Sequence, residues 1–586
     1  MPACDPSASL VSDAGGKILF ADAESRALLK DSASGFCDPD PATWEQIKHN
    51  PSRTVYHGHI GGRELYLKRY HSRTIVHRIA RALGRSEARR EMAFSQYLST
   101  HGVRTATILA AAFGNGVEWL VSRAVAPAMR ADLWHNAQLK RGPEGHRAIR
   151  QATIALARMV GRMHAAGVTH RDLHCGNILV RTDGRKPRLV LTDLHRAARR
   201  RRLSRRARAA NLAQLFHDRY TFTTRTERLR YLKHYMLAAG AEGTLRGWQL
   251  MVEGFAHRHT RRQHAQRDRR IFGDNRYFAR MKLARGWRGH VVLASKRRMA
   301  GSKAAELELT AEGWRKALDQ PEALFDGDDV TVVKDSSSSL VIRRSLRIGE
   351  HTLDVFIKRS RRKRWWKAVA DCFRSARSLR AFRLGHELLT RRISTALPLA
   401  ALERRTGPFL LDNILITEAT DSPRLHEFLQ TWLSVPPRAD VPLAVPERRQ
   451  LAQAVLWLLG RLVRQLHDNN FAHRDLKATN ILVPWSPGAA PELVLVDLDG
   501  LRHLRHVSMK RKFQGLMRLN VSLLKCTAVN RAGRLRMLVG YLRRPGSGRI
   551  NFKPYWRVLE RWSDRKLKAQ IRSRRRRQRA RRRPAT

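Results

Sequence analysis

The hydrophobic and polar residues of the chain follow two periods, which predict strands first and helices afterwards. In TVYHGHI and ELYLKR, within 54–69, polar and apolar residues alternate on either side of Gly61–Gly62. This pattern predicts a two-stranded hairpin. The segment SEARREMAFSQYLSTHG (86–102) predicts a helix that ends at a glycine. Apolar residues at helical spacing across 144–166 predict a second, longer helix.

The same order of elements recurs in the second half of the chain. The strand-like segments LVIRR and DVFIKR precede a helical pattern around SLRAFRLGHELL, and the strand-like FLLDNILITEA precedes a helix over 447–467. Each half therefore predicts a small lobe rich in strands followed by a helical lobe. The expected fold class is α+β, with two such bilobal domains in tandem.

A short motif follows the long helix in each half. It reads THRDLHCGNILV at 169–180 and AHRDLKATNILV at 472–483, so its two copies lie 303 residues apart (475 − 172). The segments VLTDLHRA (190–197) and VLVDLDGL (494–501) follow at matching distances. A period this long exceeds that of a solenoid and predicts two complete copies of one domain.

The repeat sets the predicted domain boundaries. We predict an N-terminal extension over 1–40, a first domain over 41–297, a linker over 298–325, a second domain over 326–562 and an Arg-rich tail over 563–586. Nine arginines occupy 572–583. Runs of one charge are typical of disordered segments, so the tail is predicted to be disordered.

Each copy carries, in one fixed order, the residues that phosphoryl transfer from a nucleotide requires. Such a site needs a lysine for the phosphates, an acidic helix residue that holds the lysine, an Asp for the acceptor hydroxyl, and an Asn and a second Asp for Mg²⁺. The first copy offers Lys68, Glu91, Asp172, Asn177 and Asp193, and the second offers Lys358, Glu387, Asp475, Asn480 and Asp497. Glu87 is an alternative partner for Lys68. The expected cofactors are ATP and Mg²⁺.

These motifs resemble those of the protein-kinase-like fold, and most closely those of the bacterial lipopolysaccharide kinase family, the Kdo/heptose kinases. The resemblance rests on the Lys-Arg end of the third strand, on RREMAFSQYLSTHGVRTA and on HRDLHCGNILV, and it covers roughly 40–297 and 326–560. It implies a kinase that phosphorylates a hydroxyl on a sugar of the lipopolysaccharide inner core, or of a similar membrane glycolipid.

Two other functions stay open. The chain could be an atypical protein Ser/Thr kinase, or a non-catalytic scaffold that binds anionic polymers through kinase-like folds. Within each copy, no Ala-Pro-Glu segment follows the second Asp, Asp193 or Asp497, which argues against a peptide-docking protein kinase. All five chemical residues are retained in both copies, which argues against a scaffold.

Both copies depart from protein kinases at the phosphate-covering loop. Neither has the G-x-G-x-x-G sequence that covers the phosphates in those enzymes. The first copy has HGHIGG (57–62), and the second has DSSSSL (335–340).

The second copy is the better match around the catalytic Asp. Lys477 follows Asp475 by two residues, as in many protein kinases, and Asp497-Leu-Asp is followed by a glycine. The first copy instead has His174 and the sequence Asp-Leu-His-Arg. We therefore predict that the second copy is the more active one, with Asp475 and Lys477 as its catalytic residues and Asp172 in the same role in the first.

Other repeated residues are interpreted as structural. His164 and His467, six residues before each motif histidine, are expected to pack beneath the loop. Asn211 and Asn520, about 20 residues beyond each second Asp, are interpreted as a matching pair. Cys175 lies inside the first loop and is expected to be a bystander.

The charge balance points to anionic partners. The chain has 114 Lys and Arg against 50 Asp and Glu, a formal charge of +64. Nucleic acid, an anionic membrane surface and phosphorylated substrates all suit this charge. Five scattered cysteines favour a reducing compartment over a disulfide framework or a zinc site. The N-terminus lacks a signal-peptide pattern, so we expect a cytoplasmic protein, peripheral to the inner face of the cytoplasmic membrane.

Two basic segments suggest different partners. In KRSRRKRWWKAVADCF (358–373), Trp365 and Trp366 lie among cations, a pattern that suits a bilayer interface, although a helix packed on its own lobe fits equally well. The Arg-rich tail instead suits nucleic acid. The sequence leaves the choice between these partners open.

Overall fold

The computed structural model describes residues 10–13, 16–50, 52–71, 86–114, 117–184, 186–219, 223–295, 307–361, 374–433, 444–526, 528–543 and 550–581. The chain forms two compact units, Met1–Arg261 and Arg262–Thr586, called unit 1 and unit 2 below. Each unit contains one copy of the repeated motif. Among the helices of the described residues, none is both long and apolar enough to cross a membrane.

Unit 1 begins with a seven-stranded antiparallel sheet. Its strands are β1 (Leu10–Asp13), β2 (Gly16–Phe20), β3 (Trp44–Asn50), β4 (Arg53–Ile60), β5 (Arg63–Tyr70), β6 (Ile108–Gly114) and β7 (Val117–Arg123), in the order β1-β2-β6-β7-β5-β4-β3. Helices α1 (Ala23–Leu29) and α2 (Glu87–Thr100) complete this lobe. Helix α2 begins at Ser86, whose side chain caps it, and ends before Gly102 in the left-handed region (φ 68°), which confirms the helix predicted over 86–102.

A helical lobe follows in unit 1. It contains α3 (Ala131–Leu139), α4 (Gly142–Ala165), α5 (Arg205–Arg219), α6 (Arg225–Ala239) and the part of α7 (Leu245–Arg270) up to Arg261, with the short strands β8 (Ala128–Arg130), β9 (Val168–His170), β10 (Ile178–Arg181), β11 (Arg188–Leu191) and β12 (Ala197–Arg199). Helix α4 is the long helix predicted over 144–166, and Ile149, Ala157 and Val160 bury its apolar side in the lobe's core.

Unit 2 repeats this architecture with its own sheet. Its first lobe contains β13 (Phe278–Lys282), β14 (Trp287–Val292), β15 (Ala294–Ser295), β16 (Leu307–Glu308), α8 (Ala311–Ala317), β17 (Thr331–Ser336), β18 (Ser339–Ile348), β19 (His351–Ser360), α9 (Arg377–Thr390), β20 (Pro398–Thr406) and β21 (Phe409–Glu418). The seven-stranded sheet has the order β13-β14-β20-β21-β19-β18-β17, position for position that of unit 1.

The helical lobe of unit 2 carries the second motif. Its elements are α10 (Leu425–Leu433), α11 (Val445–Asp468), β22 (Phe471–His473), β23 (Ile481–Leu482), β24 (Val494–Leu495), β25 (Leu501–His503), α12 (Met509–Leu524), α13 (Arg531–Leu542) and α14 (Lys553–Arg581). Each unit is therefore a strand-rich lobe followed by a helical lobe, and this confirms the predicted α+β class.

The structure differs from the predicted domain boundaries in the same way in both units. Strand β2, within the predicted extension, pairs with β6, and β14, at the end of the predicted first domain, pairs with β20. The predicted linker also contributes to the core, because Trp314 is fully buried and its Nε1 donates to the carbonyl of Val292 (2.7 Å). These partners are far apart in sequence, so no local pattern assigns the first hairpin to the copy that follows it.

The Arg-rich tail is helical where the structure describes it. Helix α14 runs unbroken through Lys553–Arg581, in place of the predicted disorder. Trp556 and Leu559 fix its first turns in the core of unit 2. After Pro554 the helix has neither Gly nor Pro, and Arg favours the helical backbone, so the helix continues into the tail.

Replacing Trp314 by Ala should destabilise unit 2 by about 3–5 kcal/mol, because the change removes a buried indole and the donor to Val292. The measurement is chemical denaturation, with circular dichroism and limited proteolysis to identify the unit that unfolds. Arg315→Ala, at an exposed position of the same helix, is the control and should change stability by no more than about 0.5 kcal/mol. An unchanged midpoint for Trp314→Ala would show that α8 is not part of this core.

Candidate active sites

The motif histidine of unit 1 holds the catalytic loop to the segment of the second Asp. His170 is fully buried at the end of β9. Its Nδ1 accepts a hydrogen bond from the backbone N–H of Asp172 (3.1 Å), and its Nε2 donates one to the backbone carbonyl of Asp193 (3.1 Å). Both bonds require a neutral ring with its proton on Nε2. Burial lowers the pKa of His170 and so favours that neutral form.

The same loop presents Asp172 and fixes Asn177 beside it. Asn177 ends a 3₁₀ turn, and its Nδ2 donates to the backbone carbonyl of Asp172 (2.9 Å). This bond engages the donor group of the amide and leaves its oxygen for a cation. The Asp172 side chain is 44% exposed, with His174 Nε2 3.7 Å away, so an acceptor hydroxyl can reach the carboxylate.

Lys68 of unit 1 contacts both predicted acidic partners. Its Nζ lies 2.6 Å from Glu91 Oε1, on α2, and 3.3 Å from Asp193 Oδ1, after β11. Tyr70 donates a further hydrogen bond to Glu91 Oε2 (2.7 Å). Burial alone would lower the pKa of Lys68, but the two carboxylates raise it, so the ammonium stays charged. The predicted Lys68–Glu91 pair is thus formed, whereas Glu87 is exposed.

Sequence reasoning missed a second cation in this cleft. Arg53, the first residue of β4, donates from Nη1 to Asp193 Oδ1 (2.5 Å) and from Nη2 to Asp193 Oδ2 (2.8 Å). Burial alone would raise the pKa of Asp193, but contacts with Lys68, His195 and Arg53 hold it well below its usual range. The register of β4 on β5, with Val55 opposite Lys68, puts Arg53 on the lysine's face of the sheet. Only the register of these two strands could have revealed the contact of Arg53 with Asp193.

A network of hydrogen bonds among buried side chains of the helical lobe anchors the catalytic loop of unit 1. His164 accepts from the Tyr235 hydroxyl at Nδ1 (2.8 Å), and its Nε2 donates to Asn211 Oδ1 (3.0 Å). Asn211 in turn donates to the backbone carbonyl of His170 (2.6 Å) and accepts from its N–H (3.1 Å). His164 is thus a core residue, as predicted, and Asn211 is the link between that core and the loop. Cys175 is also buried.

The catalytic loop of unit 2 has the same backbone geometry. His473 accepts from the N–H of Asp475 (3.1 Å) and donates to the backbone carbonyl of Asp497 (3.1 Å). Asn480 Nδ2 donates to the backbone carbonyl of Asp475 (2.9 Å), and Lys477 Nζ lies 2.7 Å from the Asp475 carboxylate. The structure therefore brings together the predicted catalytic and metal-binding residues of this copy.

The predicted phosphate-binding lysine of unit 2, Lys358, has different partners from Lys68. Lys358 Nζ lies 2.7 Å from Asp499 Oδ2 and 3.1 Å from Asp497 Oδ1. Glu387 instead accepts from His503 Nδ1 (2.8 Å) and lies 3.5 Å from Arg383. The predicted Lys358–Glu387 pair is therefore not formed. The reason is local, since β25 brings a histidine to the glutamate and the Asp-Leu-Asp sequence brings a second carboxylate to the lysine.

The hydrogen-bond network that anchors the catalytic loop also differs in unit 2. His467 is buried and bonds the Tyr541 hydroxyl (3.1 Å), as His164 bonds Tyr235. A Cβ at Gly515 would lie 3.4 Å from His467 Nε2, so Gly515 occupies the place of Asn211. The predicted match, Asn520, bonds the Ser563 hydroxyl instead (2.9 Å). The pairing of Asn211 with Asn520 is therefore wrong, because it followed sequence spacing and not helix position.

The sheet topology corrects the location of one phosphate-covering loop. HGHIGG lies at the β4–β5 hairpin, whereas DSSSSL lies at the β17–β18 hairpin. The hairpin of unit 1 equivalent to β17–β18 is β3–β4, which turns at Asn50 and Arg53. Trp365 and Trp366, the basis of the predicted membrane contact, lie outside the described residues.

Both units offer oxygen ligands that suit Mg²⁺. Asn177 with Asp193, and Asn480 with Asp497, each pair an amide oxygen with a carboxylate, which are hard donors of the type this ion prefers. In unit 1 both oxygens of Asp193 accept from Arg53. In unit 2, within the described part of the chain, Lys358 is the only cation within 4 Å of Asp497.

Two lobes with a lysine, an Asp in the loop and an Asn–Asp pair in one fixed order define the class of kinase-like folds. The family model of the lipopolysaccharide kinase (Kdo/WaaP) family matches residues 47–235 and 334–541, and the chain belongs to that family. This confirms the predicted family and its presence in two copies.

Two individual proteins are similar to the chain. It is 35% identical over 149 residues to the lipopolysaccharide core heptose(I) kinase WaaP of Pseudomonas aeruginosa (strain PAO1), a match that covers 23% of the chain and 54% of the relative. The chain thus spans about half the length of that protein. A solved structure of WaaP in complex with acyl carrier protein aligns at 25% identity over 41% of the chain and 98% of that structure, with a TM-score of 0.33.

Protonation of His164 should destabilise unit 1 at acidic pH. Burial lowers the pKa of His164 to about 4 in the folded unit, against about 6.5 in the unfolded chain. The unfolded chain therefore takes up the proton first. The free energy of unfolding should fall between pH 6.5 and pH 4, by up to about 3 kcal/mol.

The measurement is denaturation of wild type and His164→Gln at pH 7.5 and pH 4.5. The loss on acidification should be about 2–3 kcal/mol smaller in the variant, which cannot titrate at this position. Equal losses in the two proteins would contradict a buried neutral histidine.

Proposed function

We propose that the chain is an ATP-dependent phosphotransferase acting on a hydroxyl of a lipopolysaccharide inner-core sugar, or of a similar membrane glycolipid, and that unit 1 carries the reaction. One observation carries the choice of unit. Lys68 contacts Glu91 and Asp193 at once (2.6 and 3.3 Å), and a lysine held between these two carboxylates is set to bind nucleotide phosphates.

Each residue of unit 1 has a distinct role in the proposed reaction. Asp172 orients the acceptor hydroxyl and accepts its proton as the phosphoryl group is transferred. Lys68, held by Glu91, binds phosphate oxygens. Asn177 and Asp193 would hold Mg²⁺, which supplies positive charge to the phosphates.

Unit 2 is proposed as the weaker site, which reverses the ranking from the sequence. Lys477 and the glycine after Asp499 favoured this copy, but Lys358 is engaged by two aspartates and Glu387 by His503. To adopt the arrangement of unit 1, Glu387 must leave His503 and Lys358 must leave Asp499. Each exchange costs free energy, so the competent state is less populated.

The acceptor is proposed from the family and the charge. The family is one of lipopolysaccharide kinases, and one similar protein is a heptose kinase of the lipopolysaccharide core. A formal charge of +64 suits a phosphorylated glycolipid at an anionic surface. We therefore propose that the protein acts in the cytoplasm, at the inner face of the cytoplasmic membrane.

Replacing each proposed catalytic aspartate in turn tests which unit carries the reaction. Asp172→Asn should lower phosphoryl transfer by at least about 100-fold, because the acceptor hydroxyl loses its base. Asp475→Asn should lower it by less than about threefold if unit 2 contributes little. The measurement is transfer from labelled ATP to lipopolysaccharide, with thermal melting as a control for folding. A larger loss from Asp475→Asn would contradict the proposed division.

A comparison of acceptors tests the substrate class. Purified protein with labelled ATP and Mg²⁺ should label an extract of lipopolysaccharide that lacks core phosphate, and should label neither added protein nor itself at a comparable rate. Asp172→Asn is the matched control for each acceptor. Labelling of protein alone would support the protein-kinase alternative, and labelling of nothing would support the scaffold.

A further inference from the structure

The contact between Arg53 and Asp193 occupies the carboxylate that the proposed function assigns to Mg²⁺. The Arg53 side chain is 17% exposed and that of Asp193 12%, and two hydrogen bonds join the guanidinium to both oxygens. Arg53 follows directly on the turn from β3 to β4. In kinases this hairpin covers the nucleotide phosphates, so Arg53 lies beside the expected position of the phosphates.

Among the described residues, two cations and two carboxylates meet in the unit 1 cleft. Arg53 and Lys68 face Glu91 and Asp193, and His195 Nδ1 lies 3.3 Å from Asp193 Oδ1. A divalent cation that binds Asp193 must displace Arg53 from at least one oxygen. The displaced guanidinium would then be a largely buried charge without a partner, which is costly unless an anion replaces the carboxylate.

Unit 2 differs at the equivalent residues. The strand registers place Ser339 where unit 1 has Arg53, because Val341 lies opposite Lys358 as Val55 lies opposite Lys68. Lys358 contacts both Asp497 and Asp499. Within the described residues no second cation lies within 4 Å of these two carboxylates, so none of these residues takes the place of Arg53.

We infer that Arg53 is a phosphate-binding residue of unit 1, which contacts Asp193 before ligands bind and is transferred to nucleotide phosphate oxygens when Asp193 binds the metal. A guanidinium pairs with phosphate through the same two-bond geometry that it uses with a carboxylate. Arg53 thereby supplies the phosphate contact that a glycine-rich loop supplies in protein kinases. This inference rests on the proposed function, since it assumes that unit 1 binds a nucleotide.

The transfer of Arg53 from Asp193 to phosphate predicts a binding behaviour that a purely structural ion pair would not show. Metal and nucleotide should bind unit 1 together, because each removes one partner of the Arg53–Asp193 pair and the two ligands then compensate each other. Metal alone should bind weakly to unit 1. In unit 2, where serine replaces the arginine, the metal should need no nucleotide.

The experiment uses the full chain with the unit 2 cleft disabled by Lys358→Ala and Asp497→Asn. In this background, Mn²⁺ binding is measured by electron paramagnetic resonance, and ATP binding by calorimetry with and without Mn²⁺. The test variants are Arg53→Ser, which copies unit 2, and Arg53→Lys, which keeps the charge but cannot bridge both oxygens. The control is Arg63→Ser, at the other end of the same strand pair, where the arginine contacts Glu24 at the surface.

The background protein should bind Mn²⁺ at least about tenfold more tightly with ATP than without it, since ATP relieves the charge left on Arg53. Arg53→Ser should bind ATP with Mn²⁺ roughly ten- to hundredfold more weakly, yet bind Mn²⁺ alone more tightly than the background. Arg53→Lys should fall between the two, and Arg63→Ser should match the background.

Equal ATP affinity in the background protein and both Arg53 variants would overturn the inference while leaving the proposed function intact. Unchanged binding of Mn²⁺ alone in those variants would do the same. Absence of ATP binding to unit 1 in the background protein would overturn both. If Arg53→Ser does not fold, Arg53→Lys decides the question by the same two measurements.

Discussion

The carboxylate of the second Asp has a cation beside it in both clefts, and the neighbouring contacts are arranged around that pair. This Asp lies in the left-handed region, with φ 68° at Asp193 and 57° at Asp497, and the motif histidine fixes its backbone. In unit 1 the Asp193 side chain is 12% exposed, and burial raises the free energy of its bare charge. In unit 2 the Asp497 side chain is 44% exposed. Among the described residues, a lysine and an arginine lie within 4 Å of this carboxylate in unit 1, and a lysine in unit 2.

The composition of the chain makes several cations available to each carboxylate of the clefts. With 114 basic residues against 50 acidic ones, many arginines have no acidic partner available. An acidic side chain at the cleft therefore meets competition among cations, as Asp193 does between Arg53 and Lys68. Such competition lowers the apparent affinity of the carboxylate for any further cation.

Local spacing in the sequence was sufficient to predict the catalytic loops. The His-Arg-Asp motif, the asparagine five residues later and the following strand lie within one short segment, so their geometry is set by nearby residues. The Lys68–Glu91 pair was also predictable, because Glu91 lies in the helix predicted over 86–102, which comes after the lysine strand and before the next predicted strand. The fold class followed from the change of period along each half.

Partners that depend on strand register or helix packing could not be predicted in this way. Arg53 reaches Asp193 across 140 residues, and only the pairing of β4 with β5 places it there. Glu387 has the same sequence context as Glu91, yet a histidine on β25 engages it. Gly515 replaces Asn211 at a helix position that residue counting did not identify. The first hairpin of each sheet was assigned wrongly because its partner strand comes much later in the chain.

The exchange of partners around Glu387 bears on how duplicated domains diverge. Unit 2 retains the five residues that the sequence predicts for the reaction, but two of them, Lys358 and Glu387, contact other neighbours than their counterparts in unit 1. Residues at Asp499 and His503 decide which partners Lys358 and Glu387 have, so substitutions there change the contacts of predicted site residues that are themselves retained. Divergence between the copies therefore includes the neighbours of the site residues as well as replacements such as Ser339 for Arg53.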